Sequence, residues 1–441
     1  MASNEIISYK PTDGLSYDPN EKKYWDEELL NKEIERVFEV CHGCRMCFKY
    51  CDSFPTLFDL LDAKYDGDVR KINHIETKQI FDYCFQCKLC EVQCPYTPRD
   101  QHEYKLDFPK LVHRYKAIQH QKGESSLRDK MLAEPDLVGR ASRASFGLAN
   151  KMNKVKLHRQ FMDSLVGIHK DKNLPDFANE TFESWAEKNE KIKNNETVDA
   201  VLFQTCFVQN NEPQIGKDTI TVLEKNNVNY TCLKGFKCCG MPNWETGDLE
   251  SLQKKARHNL QLLKPYIKQK AKVLVINPTC AMMMRREYVE LVAEQDRPLA
   301  QELSVLIRDT SEYLHSLNPS NQFNEDFKSS PREVAYHAPC HLRAQAIGFK
   351  GRDLVKKLPN TEVKMVMECC GHDGTYAMKS ESYENSIKVG KRSFEQMKSH
   401  NAETWMTECP LAATQLEQHG GKKALHPMTV LAKAYKGESF D

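Results

Sequence analysis

Apolar positions recur along this 441-residue chain with two different periods, and the change of period divides it. From Asp26 onward Leu29, Leu30, Ile34, Val37 and Phe38 fall at helical spacing, with Asp26 placed as an N-cap. Residues 1–26 carry turn signals at Asp13-Gly14 and Asp18-Pro19-Asn20 and read as an extended arm. A further helical stretch occupies residues 52–83. Beyond residue 198 the pattern changes to short apolar runs: Val201-Leu202-Phe203, Val273-Leu274-Val275-Ile276, Val334-Ala335-Tyr336 and Thr404-Trp405-Met406. Strands alternating with helical segments predict small α/β units on mostly parallel sheets.

Charge changes the picture between the two halves. Residues 105–160 hold thirteen Lys or Arg against five Asp or Glu, interspersed with Leu137, Val138, Phe146, Leu148 and Met152. We read this as a solvated basic helix face covering a domain. A basic amphipathic stretch also suits an anionic membrane surface or an acidic partner. Residues 170–197 are polar and read as a surface segment. The chain as a whole carries a net charge of +1, so no overall field recruits nucleic acid. No apolar run approaches a membrane span, and residues 1–10 lack the regions of a secretory signal. Seventeen cysteines, an odd number at ligand-like spacings, fit a reducing cytoplasm better than a disulfide framework.

Eight of those cysteines form two copies of C-x2-C-x2-C-x3-C: Cys41, Cys44, Cys47, Cys51 and Cys84, Cys87, Cys90, Cys94. This is the bacterial ferredoxin spacing, in which the fourth cysteine of each run ligates the other cluster. It predicts two [4Fe–4S] clusters, one on Cys41, Cys44, Cys47 and Cys94, the other on Cys84, Cys87, Cys90 and Cys51. Structural zinc uses paired C-x2-C knuckles and suits such runs poorly. Pro95 follows the second run, whereas Asp52 follows the first, which predicts a more polar pocket at Cys51. The 32 residues between Cys51 and Cys84 exceed what a β-hairpin ferredoxin needs, so this domain is expected to be all-helical.

The later cysteines repeat in register. Cys206 and Cys340, Cys238 and Cys369, and Cys280 and Cys409 are separated by 134, 131 and 129 residues, with Cys239-Gly240 matched by Cys370-Gly371. Each repeat reads strand, cysteine, helix, Cys-Cys-Gly, helix, strand, cysteine. Cysteines at the C-terminal ends of parallel strands gather at one sheet edge. The glycine permits a tight turn beside a bulky group. Cys206, Cys238, Cys239 and Cys280 form one candidate site, and Cys340, Cys369, Cys370 and Cys409 another. Cys232 has no counterpart and is not expected to ligate. Buried cysteines acting as small hydrophobes are the alternative, against which two registered pairs argue.

Tandem Cys…Cys-Cys-Gly…Cys repeats behind a two-cluster ferredoxin resemble the heterodisulfide-reductase-related iron–sulfur proteins. These include the iron–sulfur subunits of anaerobic glycerol-3-phosphate dehydrogenase and glycolate oxidase. The resemblance extends over residues 336–343, 368–376 and 426–432, and is most similar there to a branch often found beside rubrerythrin. It implies an α+β multidomain chain: an N-terminal arm (1–26), an all-helical two-cluster ferredoxin domain (27–120), a basic helical linker (121–197) and two tandem α/β cysteine-rich (CCG) repeats (198–325 and 326–441). The full motif of the resembled proteins ends in C-x2-C, but here Met283 and Ala412 stand at the last positions. A five-thiolate cluster is therefore not expected, and a four-thiolate cluster, zinc and no metal all stay open.

Iron–sulfur clusters move single electrons, and the chain has neither a G-x-G-x-x-G fingerprint nor a P-loop. We expect an electron-transfer protein or a component of an oxidoreductase, placed between a flavoprotein or other redox partner and a quinone, a disulfide or a protein acceptor. The resemblance adds a peripheral place on the inner face of the cytoplasmic membrane and a rubrerythrin-linked partner. Two other readings compete. One is a disulfide- or oxidant-reducing enzyme with Cys369, Cys370 and His372 at its centre. The other is a zinc-stabilised docking protein. His337 and His341 flank the second repeat and could also supply a ligand or a proton.

Overall fold

Asp26 starts the first long helix, accepting the Leu29 amide at 3.0 Å. Helix α1 spans Glu27–Cys44 and buries Leu30, Ile34, Val37 and Phe38, as their spacing predicts. The structure, a computed structural model, describes residues 7–193, 197–317 and 323–440. After α1 come α2 (Ser53–Lys64), α3 (His74–Asp82), α4 (Leu89–Gln93) and α5 (Phe108–Gln121). Among the described residues up to 125 there is no strand. The core is aromatic: Phe108 lies 4.7 Å from Phe54 and 5.9 Å from Phe81 between ring centroids. Two buried arginines hold the arm. Arg36 pairs with Glu33 at 2.6 Å and donates to the carbonyls of Tyr9 and Tyr104. Arg114 donates to the carbonyls of Gly14, Lys23, Tyr24 and Asp26 at 2.5 to 3.2 Å.

The chain divides into two compact units. One takes the residues up to Ser125 together with Trp244–Leu249; the other takes Ser126–Asn243 and everything from Glu250 onward. Within the first, Trp244 is fully buried, stacks on His113 at 5.3 Å, and lies under the Lys88 ammonium at 5.5 Å.

The second unit holds two sheets. Strands β1 (Ala200–Phe203), β2 (Tyr230–Cys232), β3 (Lys272–Val275) and β4 (Ile307–Asp309) are ordered β2-β1-β3-β4. Strands β5 (Glu333–His337), β6 (Glu362–Val366) and β7 (Thr404–Met406) are ordered β6-β5-β7. Every pairing in both sheets is parallel. The apolar runs in the sequence mark β1, β3, β5 and β7 but not β2, β4 or β6. Two of the missed strands are three residues long, and β6 is an edge strand with only Val366 buried, so none offers an apolar run. One apolar core joins both sheets, with Leu202, Ile276, Tyr336, Met406 and the unmatched Cys232 among its members.

The polar and basic segments differ from expectation. In the 105–160 stretch, α6 (Leu127–Leu132), α7 (Pro135–Ala144), α8 (Leu148–Met152) and α9 (Lys156–Phe161) do not turn their apolar side chains inward. Leu127, Leu137, Phe146, Leu148 and Leu157 are exposed. The 170–197 segment conversely buries Lys172, Phe182 and Ala186, because its few apolar residues sit in a short helix, Phe182–Lys188, that packs on the second unit's core. Among the described residues no helix is long and apolar enough to cross a membrane.

His426 caps the last helix, Pro427–Lys436. Its Nδ1 accepts the Met428 amide at 3.1 Å, and its Nε2–H donates to the Ile276 carbonyl at 3.1 Å. Both nitrogens are thus committed in the neutral ring, and burial lowers its pKa to about 4. The unfolded chain takes up a proton near pH 6.5. Stability is therefore fully present above that pH and is lost as pH falls toward 4, by up to ~3 kcal/mol for this group. Urea midpoints should fall between pH 7.5 and 5. His426→Asn, which keeps the cap, should shallow that fall while losing about 1 kcal/mol at neutral pH.

Candidate metal centres

The last turn of α1 carries Cys41 and Cys44, one helical step apart on one face. Arg45 then turns left-handed, with φ 55, and the chain doubles back through Cys47. In the second run Gln86 and Lys88 are left-handed on either side of Cys87, and α4 ends at Cys94. Cys41, Cys44, Cys47 and Cys94 line one cavity of about 460 Å³ including its mouth, together with Cys90 of the second run, and Phe54, Phe58, Leu106 and Phe108 wall it. Burial pushes Cys94 up to about 11, with the Tyr96 amide opposing it and Cys44 adding to it, and burial followed by the neighbouring thiols pushes Cys47 up to about 12. Cys41 is raised for the same reasons. Four thiols cannot all ionise so close together unless a cation compensates them, which is the chemistry an iron–sulfur cluster supplies. The donor set fits that group.

Cys84, Cys87 and Cys90 are buried, and the thiols that raise Cys90, after burial itself, are Cys87, Cys84, Cys47 and Cys51. The Gln86 amide donates to Cys84 Sγ at 3.4 Å. At Cys51, burial raises the thiol against the pull of Ser53 and the Phe85 amide, while Asp52 adds to the rise. Lys88 and Glu91 are also buried beside this run.

In the second unit, parallel pairing brings the strand-end cysteines to one edge of each sheet. Cys206 and Cys340 follow β1 and β5, Cys280 and Cys409 follow β3 and β7, and each lies in or caps a short helix. Thr205, a β-branched residue at φ 70, precedes Cys206, a strained conformation for its side chain. Cys206, Cys238, Cys239 and Cys280 form a chain of neighbouring thiols. Hydrogen bonds from Cys206 and Cys239 hold Cys238 low, while Cys206 and Cys239 are raised. Asp136 on α7 accepts the Cys238 amide at 2.8 Å, and the Tyr288 hydroxyl donates to the Cys239 carbonyl at 2.9 Å.

The second repeat is less enclosed. Cys340, Cys369, Cys370 and Cys409 are partly exposed. Burial beneath the surface atoms still pushes the Cys370 thiol up to about 12, with Cys409 adding to it, and the Cys409 thiol up to about 11. The amides of Ala412 and Leu411 oppose the rise at Cys409, and Cys280 of the first repeat adds to it. Lys172 is buried beside Cys370, donates to Gln415 Oε1, and is lowered to about 8 by burial. His372 is buried and held well below the usual histidine range by that burial and by Lys172. His337 is committed to Thr407 Oγ1 and the Glu368 carbonyl at 3.2 and 3.1 Å. His341 bonds Thr279 at 2.9 Å, which ties the helix of Cys340 to that of Cys280. Next to Cys409, Glu408 accepts the Tyr336 hydroxyl at 2.8 Å and burial raises it to about 8. Among the described residues, no three His, Cys, Asp or Glu converge closely enough to hold a lone metal ion.

Asp136, Lys172, Tyr288 and Glu408 were not among the residues that the sequence motifs marked. Asp136, Lys172 and Tyr288 reach their cysteines across long stretches of chain, and only Glu408, next to Cys409, stood where a local pattern could have marked it.

Both Cys-Cys-Gly glycines are left-handed, at φ 87 for Gly240 and φ 74 for Gly371. A Cβ on Gly240 would come no nearer than 3.2 Å to Leu252 Cγ, whereas one on Gly371 would lie 2.0 Å from the Ser386 carbonyl oxygen. Gly240→Ala should cost roughly 1–2 kcal/mol of backbone strain. Gly371→Ala should cost about 3 kcal/mol or more, because backbone has to move. Paired urea titrations check the ranking.

Known protein families agree with this geometry. A 4Fe-4S dicluster domain matches residues 40–97, and a cysteine-rich (CCG) domain matches residues 200–285 and again 334–417. The chain thus carries the cysteine-rich CCG domain twice, behind a 4Fe-4S dicluster domain. It is homologous to the C subunit of the anaerobic glycerol-3-phosphate dehydrogenase of Escherichia coli K12, 28% identical over 70% of this chain and 77% of that one. The B subunit of the fumarate reductase (CoM/CoB) of Methanothermobacter marburgensis is 25% identical over 52% of this chain and 44% of its own length. Lactate utilization protein A of Shouchella clausii is 29% identical over 40% and 74%. These matches are consistent with an iron–sulfur electron-transfer component of an oxidoreductase.

Proposed function

We propose that this chain passes single electrons between a flavoprotein or other redox protein and a quinone, a disulfide or a protein acceptor. Cys41, Cys44, Cys47 and Cys94 hold one [4Fe–4S] cluster, and Cys84, Cys87, Cys90 and Cys51 hold a second. Each CCG repeat offers a further four-thiol site, with Cys206, Cys238, Cys239 and Cys280 in one and Cys340, Cys369, Cys370 and Cys409 in the other. A bound cluster supplies reversible one-electron oxidation and reduction, with a potential set by hydrogen bonds, charge and solvent access. The protein's part is to supply those influences: the Gln86 amide at Cys84, Ser53 at Cys51, and buried Lys88 and Glu91. The observation that supports the reading is that Cys94, of the second run, lines the cavity of Cys41, Cys44 and Cys47 of the first. Peripheral attachment to the inner face of the cytoplasmic membrane would bring a quinone pool within reach. A rubrerythrin-type protein is the specific partner that the branch resemblance raises.

The test is anaerobic purification of the full chain, followed by stopped-flow oxidation of the reduced protein by a water-soluble quinone and by a disulfide. Rapid one-electron oxidation by the quinone supports the relay. Retained reduction with no reoxidation by either acceptor removes it.

A second reading is thiol chemistry at the second repeat, and Lys172 beside Cys370 favours it, since a cation there supports a thiolate. Catalytic disulfide reduction abolished by Cys370→Ser, with iron content intact, would establish that reading over the relay.

A further inference from the structure

The segment 127–166 turns polar side chains inward, those of α7 toward the first CCG site, and leaves its opposite face to solvent. On α7 the inward residues are Asp136, which binds the Cys238 amide, Gly139, packed against Asn210, and Arg143, which donates to Asn210 Oδ1 at 2.5 Å. Asn210 in turn donates to the Cys206 carbonyl at 3.0 Å. Further along, Asn150 exchanges two hydrogen bonds with the Phe177 backbone, and Arg159 donates to the carbonyls of His169, Lys170 and Lys172. The polar side chains thus pin the segment inward.

What remains outside is apolar. Leu137, Leu148, Leu157, Phe161 and Leu165 are 56 to 75% exposed, and Phe146 is 97% exposed. Phe146 is left-handed at φ 50, followed by Gly147 at φ 85, so the turn between α7 and α8 holds a bulky residue in an unfavourable backbone conformation and points it at water. From Leu137 to Met162 the sequence has six Lys or Arg and no Asp or Glu. Arg140, Lys151 and Lys156 form no ion pair among the described residues.

We propose that this face lies on an anionic phospholipid surface, with the six apolar residues sunk to the headgroup boundary and Arg140, Lys151 and Lys156 on the lipid phosphates. Large apolar side chains interleaved with lysines on short helices are the composition of an in-plane membrane element. Lysine is depleted from protein–protein interfaces, and these side chains project from several turns rather than lining a groove, which disfavours an acidic protein as occupant. The proposal rests on the peripheral-membrane part of the functional reading and adds the lipid class and the residues. It places the lipid one helix away from the first CCG cysteines.

Flotation of the cluster-loaded full chain with vesicles tests it. The wild-type protein should bind vesicles containing phosphatidylglycerol, bind pure phosphatidylcholine about ten-fold less, and detach as salt rises. The variant F146D/L157D, altered only at exposed positions, should lose about ten-fold or more of the binding with unchanged iron content and circular dichroism. The variant K151Q/K156Q should lose the preference for anionic lipid. Absence of wild-type binding, equal binding to phosphatidylcholine, or wild-type binding by F146D/L157D would each overturn the proposal. Oxidation by the water-soluble quinone, run on the same samples, fails only if the electron-transfer reading fails.

Discussion

Cys94→Ser should remove the same cluster as Cys44→Ser, although the two positions stand in different cysteine runs. The expectation rests on the cavity that Cys94 shares with Cys41, Cys44 and Cys47. Each variant should lose about four irons per chain and the same set of spectral features, leaving the second cluster's set in place. Cys51→Ser should instead match Cys87→Ser. Because the relay needs both clusters, reoxidation by an external quinone should slow by at least ~100-fold in all four. Iron analysis with electron paramagnetic resonance of the reduced variants decides the matter. Grouping by run, with Cys94→Ser resembling Cys87→Ser, would refute the exchange. Serine's oxygen sometimes ligates iron, so Cys94→Ala serves as the companion variant.

Arg36→Ala should be the most destabilising single change in the first unit. Arg36 and Glu33 are both about 1% exposed, and Glu33 also accepts from the Thr12 amide and hydroxyl at 2.8 and 2.7 Å. Removing the guanidinium leaves a buried carboxylate without its cation and frees the carbonyls of Tyr9 and Tyr104. The expected loss is about 3–5 kcal/mol. The attraction itself contributes less than that figure suggests, because burying both charges was costly. Glu33→Gln combined with Arg36→Met should therefore recover a good part of the loss. If the double variant is no more stable than Arg36→Ala in urea, the loss comes mainly from the carbonyls that the arginine served, and not from the stranded charge.

The sequence was most legible where a local period or spacing carries the information. Asp26 and the apolar positions of α1 predicted the helix and its start. The ferredoxin spacing predicted the 4Fe-4S domain, and the registered Cys-Cys-Gly pairs predicted the duplication, that the domain matches report. Legibility failed where a side chain acts on a distant one. Lys172 stands in a stretch so polar that its burial beside Cys370 has no local signal. Asp136 resembles any helix-start acid until it accepts the Cys238 amide. The exposed face of α7 to α9 misled for a related reason: periodicity separates the two sides of a helix but does not say which side the rest of the chain covers.

Trp244 has a consequence for how the protein is made. The segment Trp244–Leu249 belongs to the first unit, although the rest of that unit ends at Ser125. A ribosome adding about 5–20 residues per second would take roughly 6–25 s to synthesise the stretch between them. Throughout that interval the nascent unit lacks the indole that packs against His113 and Lys88, directly beside Cys87. Maturation therefore cannot proceed strictly from the N-terminus onward. The last piece of the first unit's core arrives from a strand–helix repeat whose own sheet is by then only partly translated.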